Sequence, residues 1–132
     1  NLALVFTSKF FLFTALVAFI VFVLAWQPFV NPWVAGATLL VRPCVMFGTV
    51  GYSESLFLTF SCLAFLAIKK QGFLVAGLFS GILSGIRIDG GSIGFAYLVA
   101  ILRQWNSGAD RTSMLLGLCL IPLGLALYMA YL

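Results

Sequence analysis

The chain has 132 residues, of which 64% are hydrophobic and only ten are charged, seven basic and three acidic, for a net charge of +4. So little polar surface cannot cover a water-soluble globule of this size, which argues against a soluble domain and predicts one embedded in lipid. The basic residues are scattered between apolar runs instead of gathering on one face, which argues against a nucleic-acid partner.

Several apolar runs approach or exceed the length needed to cross ~30 Å of hydrocarbon, where backbone groups must be paired within each segment; this predicts helices. The run 10–26 lacks the period-two alternation of a barrel strand. The expectation is an all-α, polytopic transmembrane bundle, a single domain over 1–132. About six segments are predicted, near 8–26, 33–49, 54–68, 73–87, 91–102 and 114–132. Gln27-Pro28 and Asn31-Pro32 break the first run, and Trp26 and Trp33 flank the break as interfacial rings would. Because Trp26-Gln27-Pro28 replaces a small-residue cleavage site, the first run is not a signal peptide. A start at Asn1 instead of Met suggests part of a longer chain.

The second segment contains Arg42-Pro43 and reads as a kinked span in preference to a re-entrant element. The turn at 28–32 is then placed on the cytoplasmic side. Farther on, Lys69-Lys70-Gln71-Gly72 reads as a tight basic turn, and 103–113 is the longest polar stretch. The positive-inside rule puts Lys69, Lys70, Arg103 and Arg111 on the cytoplasmic side together. The stretch 72–102 is then one out-and-back excursion, and 52–55 and 87–91 both face outward.

Four charged residues adjoin apolar runs without lying in the obvious loops: Arg42, Glu54, Arg87 and Asp89. A charge near mid-bilayer costs roughly 2.5–3.5 kcal/mol, so each needs a reason to be there. For Asp89 hydration at the outer interface competes with a binding role. Glu54 follows Ser53 and precedes Ser55 at the start of a segment, where capping of a first helical turn competes with binding. Ser55, Thr59 and Cys62 recur at helical spacing as a small polar stripe expected to face other helices. Gly77, Gly81 and Gly85, beside Ala76, Ser80 and Ser84, predict a close-packing face. Arg87 continues the Ser80 and Ser84 side, so it is expected to project inward at the outer end of its helix. There its planar fork suits a phosphate. Cys44, Cys62 and Cys119 are widely spaced and the chain has no histidine, so the thiols read as membrane-buried, with neither a zinc site nor a disulfide framework.

The order Arg42-Pro43-Cys44-Val45-Met46-Phe47, Gly51-Tyr52-Ser53-Glu54-Ser55-Leu56-Phe57, Lys69-Lys70, Ala76-Gly77-Leu78 and Ser84-Gly85-Ile86-Arg87-Ile88-Asp89-Gly90 resembles the PIG-V-type GPI mannosyltransferase family. The resemblance covers about 42–90. Ile86 stands where the family has a hydroxyl residue, and Asp89 where it has an Asn. The resemblance implies a GT-C-like enzyme of GPI-anchor biosynthesis type. Such an enzyme transfers a sugar, typically mannose, from a polyprenyl- or dolichyl-phosphate donor to a lipid or glycan acceptor at the outward or lumenal face. The implied membrane is the endoplasmic reticulum or a prokaryotic plasma membrane. Arg87 and Arg42 would meet the donor phosphate, and Tyr52, Ser53, Glu54, Ser55 and Asp89 complete the candidate binding set. Glu54 is a weaker candidate for general base, because the family's essential acid lies in an early outward loop upstream of everything matched here. The catalytic residue is therefore unassigned. No cofactor is assigned, and a divalent metal is compatible with a phosphate donor. A transporter fragment, or a non-catalytic subunit packed against a partner membrane protein, are the rival readings.

Overall fold

The computed structural model describes residues 2–26, 31–41, 52–105 and 110–131, and helix is the only regular structure among them. In chain order these are α1 (Leu2–Trp26), α2 (Pro32–Val41), α3 (Tyr52–Lys69), α4 (Phe73–Ile86), a 3-10 turn (Ile88–Ser92), α5 (Ile93–Gln104) and α6 (Arg111–Tyr131). The chain divides into two compact units, Asn1–Cys62 and Leu63–Leu132, with α3 running through the boundary.

Among the described residues, two helices are long and apolar enough to cross a membrane. One is α1, over Phe6–Trp26 at a mean hydropathy of 2.4, and the other is α6, over Arg111–Tyr131 at 2.0. Both expose apolar side chains: Phe6, Phe13 and Leu24 on α1, and Leu116, Leu123 and Leu127 on α6. Hydroxyls in the apolar helices are satisfied locally. Thr7, Thr14, Thr38, Thr59, Ser61 and Ser80 each donate to the carbonyl four residues back, so none needs water.

In the N-terminal unit α2 begins where Asn31 caps it, its Oδ1 accepting from the Trp33 amide at 3.0 Å, with Pro32 in the first helical position. Ser55, Thr59 and Cys62, the polar stripe of α3, are all buried. Segment 33–49 is helical over Pro32–Val41; its remainder, with Arg42 and Cys44, lies outside the described residues.

The C-terminal unit is built on the α4–α6 contact. A Cβ on Gly77 would collide with the backbone of Gly117, one on Gly81 would sit 2.7 Å from the Leu120 carbonyl oxygen, and one on Gly85 3.5 Å from that of Gly124. The partners advance together along both chains, so α4 and α6 run parallel, backbone against backbone. Ser84 Oγ reinforces the contact, 2.7 Å from the Ile121 carbonyl oxygen and 2.9 Å from that of Gly81. The core gathers Ile68, Phe73, Ala76, Tyr97, Ile101, Met114 and Ile121. Tyr97 is fully buried. Its hydroxyl donates to the Phe73 carbonyl at 2.8 Å and approaches that of Met114 at 3.3 Å, tying α4, α5 and α6 through one side chain.

Several boundaries differ from those expected. α1 is helical from Leu2 and α6 from Arg111. The polar residues at the start of α6 join the helix because Asp110 caps it. Its carboxylate accepts from the Thr112 amide at 3.1 Å and from the Ser113 hydroxyl at 2.6 Å. α5 starts at Ile93, since Gly90 and Gly91 are used in the 3-10 turn. The basic turn after α3 closes through hydrogen bonds from the Gly72 amide to the Ala67 carbonyl and from the Gln71 amide to that of Ile68. Gln71 takes the left-handed conformation that ends many helices, with φ of 60°.

Candidate functional site

α4 leads away from the Lys69-Lys70 turn, α5 returns, and α6 starts again from the same end. The C-terminal unit therefore has a basic end with Lys69, Lys70, Arg103 and Arg111, and a hairpin tip with Arg87 and Asp89 at the other. α4 has 14 residues, which separates the two ends by about 21 Å. At the basic end the Arg111 guanidinium lies over the Trp105 ring, 5.2 Å from its centroid. The hydrogen bond from Ser113, and then that from the Thr112 amide, hold the Asp110 carboxyl below its ordinary range.

The tip is shaped by how α4 stops. The Arg87 amide still closes the last turn on the Leu83 carbonyl at 3.1 Å, but Arg87 is extended, with φ of −149° and ψ of 142°. Arg87 therefore does not continue the helical face of Ser80 and Ser84, as its spacing suggested; both serines are buried, Ser84 against the Ile121 carbonyl of α6, while the Arg87 side chain is partly exposed. The reason lies at Gly90. The chain folds back so tightly that a Cβ there would meet the Leu83 carbonyl, and the Gly90 amide bonds to the Arg87 carbonyl at 2.9 Å. The Arg-x-x-Gly spacing is thus a device for reversing the chain over the end of α4. Ser92 Oγ donates to the Asp89 carbonyl at 2.7 Å and closes the 3-10 turn.

Arg87 and Asp89 are brought together by this turn. Their side chains are 38% and 77% exposed, and Arg87 Nη2 lies 3.5 Å from Asp89 Oδ2. An ion pair so long and so exposed is worth about 0–1 kcal/mol. Beside the tip, an apolar groove of about 450 Å3 runs between α4 and α6, lined by Leu78, Gly81, Ile82 and Gly85 on one side and Leu123, Gly124, Leu127 and Tyr128 on the other.

The other candidates belong to the N-terminal unit or lie outside the described residues. Arg42 lies outside the described residues, and so do the side chains of Tyr52 and Ser53, whose backbone opens α3. Glu54 is half-buried in the first turn of α3 and Ser55 is buried one position on; both belong to the N-terminal unit. Cys62 is buried, whereas Cys119 is exposed on α6. Among the described residues no group of three metal-ligating side chains occurs. Tyr97 was not singled out by sequence. A lone tyrosine in an apolar run carries the signal, because its hydroxyl must find a partner away from water. No family model, curated protein or solved structure matches the chain.

Proposed function

We propose that this chain is the multi-pass membrane segment of a glycosyltransferase of the PIG-V-like, GT-C type, taking a sugar from a polyprenyl-phosphate donor on the side opposite its basic end. The membrane reading is supported by the exposed apolar surfaces of α1 and α6, which water would penalise and lipid would not. About six helical segments are embedded, with Lys69, Lys70, Arg103 and Arg111 toward the cytoplasm and 73–104 forming the out-and-back excursion.

The donor assignment rests on Arg87 at the hairpin tip, paired with Asp89 at 3.5 Å, and on the apolar groove between α4 and α6, whose α4 lining reaches Gly85 two residues before it. A polyprenyl phosphate needs this combination. Its chain remains among apolar side chains while its phosphate meets a planar cation that offers parallel hydrogen bonds. Asp89 then faces the sugar or the acceptor hydroxyl. Tyr52, Ser53, Glu54, Ser55 and Arg42 are proposed as further substrate-binding residues. The catalytic base is unassigned, with Glu54 a weak candidate.

The test is donor binding by the reconstituted full-length protein, with dolichyl-phosphate mannose as probe. Arg87→Ala should weaken binding by about tenfold to a hundredfold, from the roughly 1.5–3 kcal/mol of a charge-assisted hydrogen bond. Arg87→Lys keeps the charge without the fork and should fall between. Unchanged affinity in a normally folded Arg87→Ala protein would leave Arg87 an interfacial anchor and remove the main support for the assignment.

A further inference from the structure

The three helices of the C-terminal unit differ in length, and the difference decides how deep the candidate site lies. α6 has 21 residues and rises about 32 Å, enough for ~30 Å of hydrocarbon. α4 and α5, with 14 and 12 residues, rise only about 21 and 18 Å. The parallel register aligns them. Gly77 meets Gly117 and Gly85 meets Gly124, so α4 begins close to the level where α6 begins and ends near residue 125. From there α6 continues to Tyr131, six residues or about 9 Å farther. The 3-10 turn does not make up the gap. Gly90 folds back against Leu83, and Gly94 lies against the Ile121 side chain.

We infer that the hairpin α4–turn–α5 enters the membrane from the basic end and, because α4 and α5 rise only about 21 and 18 Å against ~30 Å of hydrocarbon, turns back short of the opposite boundary, leaving the tip at the floor of a water-filled recess open to that far side. Lipid cannot fill the space above the tip. Asp89 is exposed, Ser92 is exposed beside it, and a 3-10 turn presents backbone polar groups that hydrocarbon leaves unsatisfied. Irregular backbone at membrane depth is tolerated where it lines water or protein. Recess water hydrates the Arg87–Asp89 pair and admits water-soluble solutes to it below the headgroup plane. This inference goes beyond the transferase reading and does not depend on it.

The test is cysteine accessibility in sealed vesicles of both orientations, with Cys44, Cys62 and Cys119 first replaced by Ala. Gly91→Cys is the probe, because nothing lies within 4 Å of a Cβ at that position. Lys70→Cys reports the basic side. Leu123→Cys, near the level of the tip and exposed on α6, reports the lipid phase. The recess predicts that a small charged methanethiosulfonate reacts with Gly91→Cys only from the side opposite Lys70→Cys. A polyethylene-glycol maleimide should fail there while still labelling Lys70→Cys from its own side, and Leu123→Cys should react with neither reagent. No reaction at Gly91→Cys from either side would mean a tip sealed by lipid or protein. Reaction from the Lys70 side, or equal reaction with the bulky maleimide, would mean inverted entry or a full crossing. Each of these overturns the inference. Donor binding is not read, so loss of the transferase assignment leaves the result intact.

Discussion

Replacing the glycines of α4 one at a time by alanine should produce a graded series whose order comes from the α4–α6 contact. Alanine in a helix interior gains up to ~1 kcal/mol over glycine, so without a packing partner all three changes would stabilise. At Gly85 the new methyl lies 3.5 Å from the Gly124 carbonyl oxygen, an ordinary contact, and the propensity gain should survive. At Gly81 it lies 2.7 Å from the Leu120 carbonyl oxygen, so the two helices must separate by several tenths of an ångström. Overpacking of this kind costs about 1–3 kcal/mol, leaving a net loss of ~0–2 kcal/mol after the propensity gain. At Gly77 the methyl runs into the Gly117 main chain, which has no rotamer by which to yield, and the loss should reach ~3 kcal/mol. Gly81→Leu should be worse than Gly81→Ala, because the larger side chain forces the backbones farther apart. Unfolding in mixed micelles titrated with SDS gives the order directly. Equal stability of all three alanine variants, or greatest damage at Gly85, would refute close packing along this register.

Tyr97→Phe should cost ~1 kcal/mol in the same assay, since the hydroxyl bridge is lost while the ring stays, whereas Tyr97→Ala should cost ~3–5 kcal/mol through the cavity left among α4, α5 and α6; equal losses would mean the hydroxyl rather than the ring decides. Epitope tags within 69–72 and 106–109 should report the same side of the membrane and a tag near residue 51 the opposite side, and opposite accessibility of the two basic loops would exclude the out-and-back excursion. Asp110 has its folded-state carboxyl depressed first by the Ser113 hydroxyl and then by the Thr112 amide. Its contribution to the first turn of α6 is therefore present above the ordinary carboxyl range and lost as pH falls through the depressed folded value. Protection of the Thr112 and Ser113 amides, taken against their intrinsic exchange rates at each pH, should fall on acidification in the native protein and be low at every pH in Asp110→Ala; pH-independent protection in the native protein would contradict capping by the carboxylate.

Much of the helical arrangement was determined locally. The apolar runs, the Asn31-Pro32 start of α2, the Lys69–Gly72 turn and the small-residue stripe of α4 each depend on neighbours in the chain, so composition and spacing suffice to find them. The sharing of one end of the C-terminal unit by Lys69, Lys70, Arg103 and Arg111 also follows from alternation of apolar segments and basic joints. What Gly77, Gly81 and Gly85 pack against was a tertiary matter. Helical spacing shows that they share a face and cannot show that Gly117 and Gly124 meet them in parallel. The place of Arg87 was likewise decided by tertiary structure. Periodicity continued α4 through it, but Gly90 folding onto the Leu83 carbonyl ends the helix at Ile86 and swings Arg87 out to Asp89. Tyr97 needed carbonyls 24 and 17 residues away to satisfy its hydroxyl. Nor did hydropathy disclose that α4 and α5 stop short of α6, because an apolar residue at mid-membrane and one near its boundary read alike until packing registers the helices against each other.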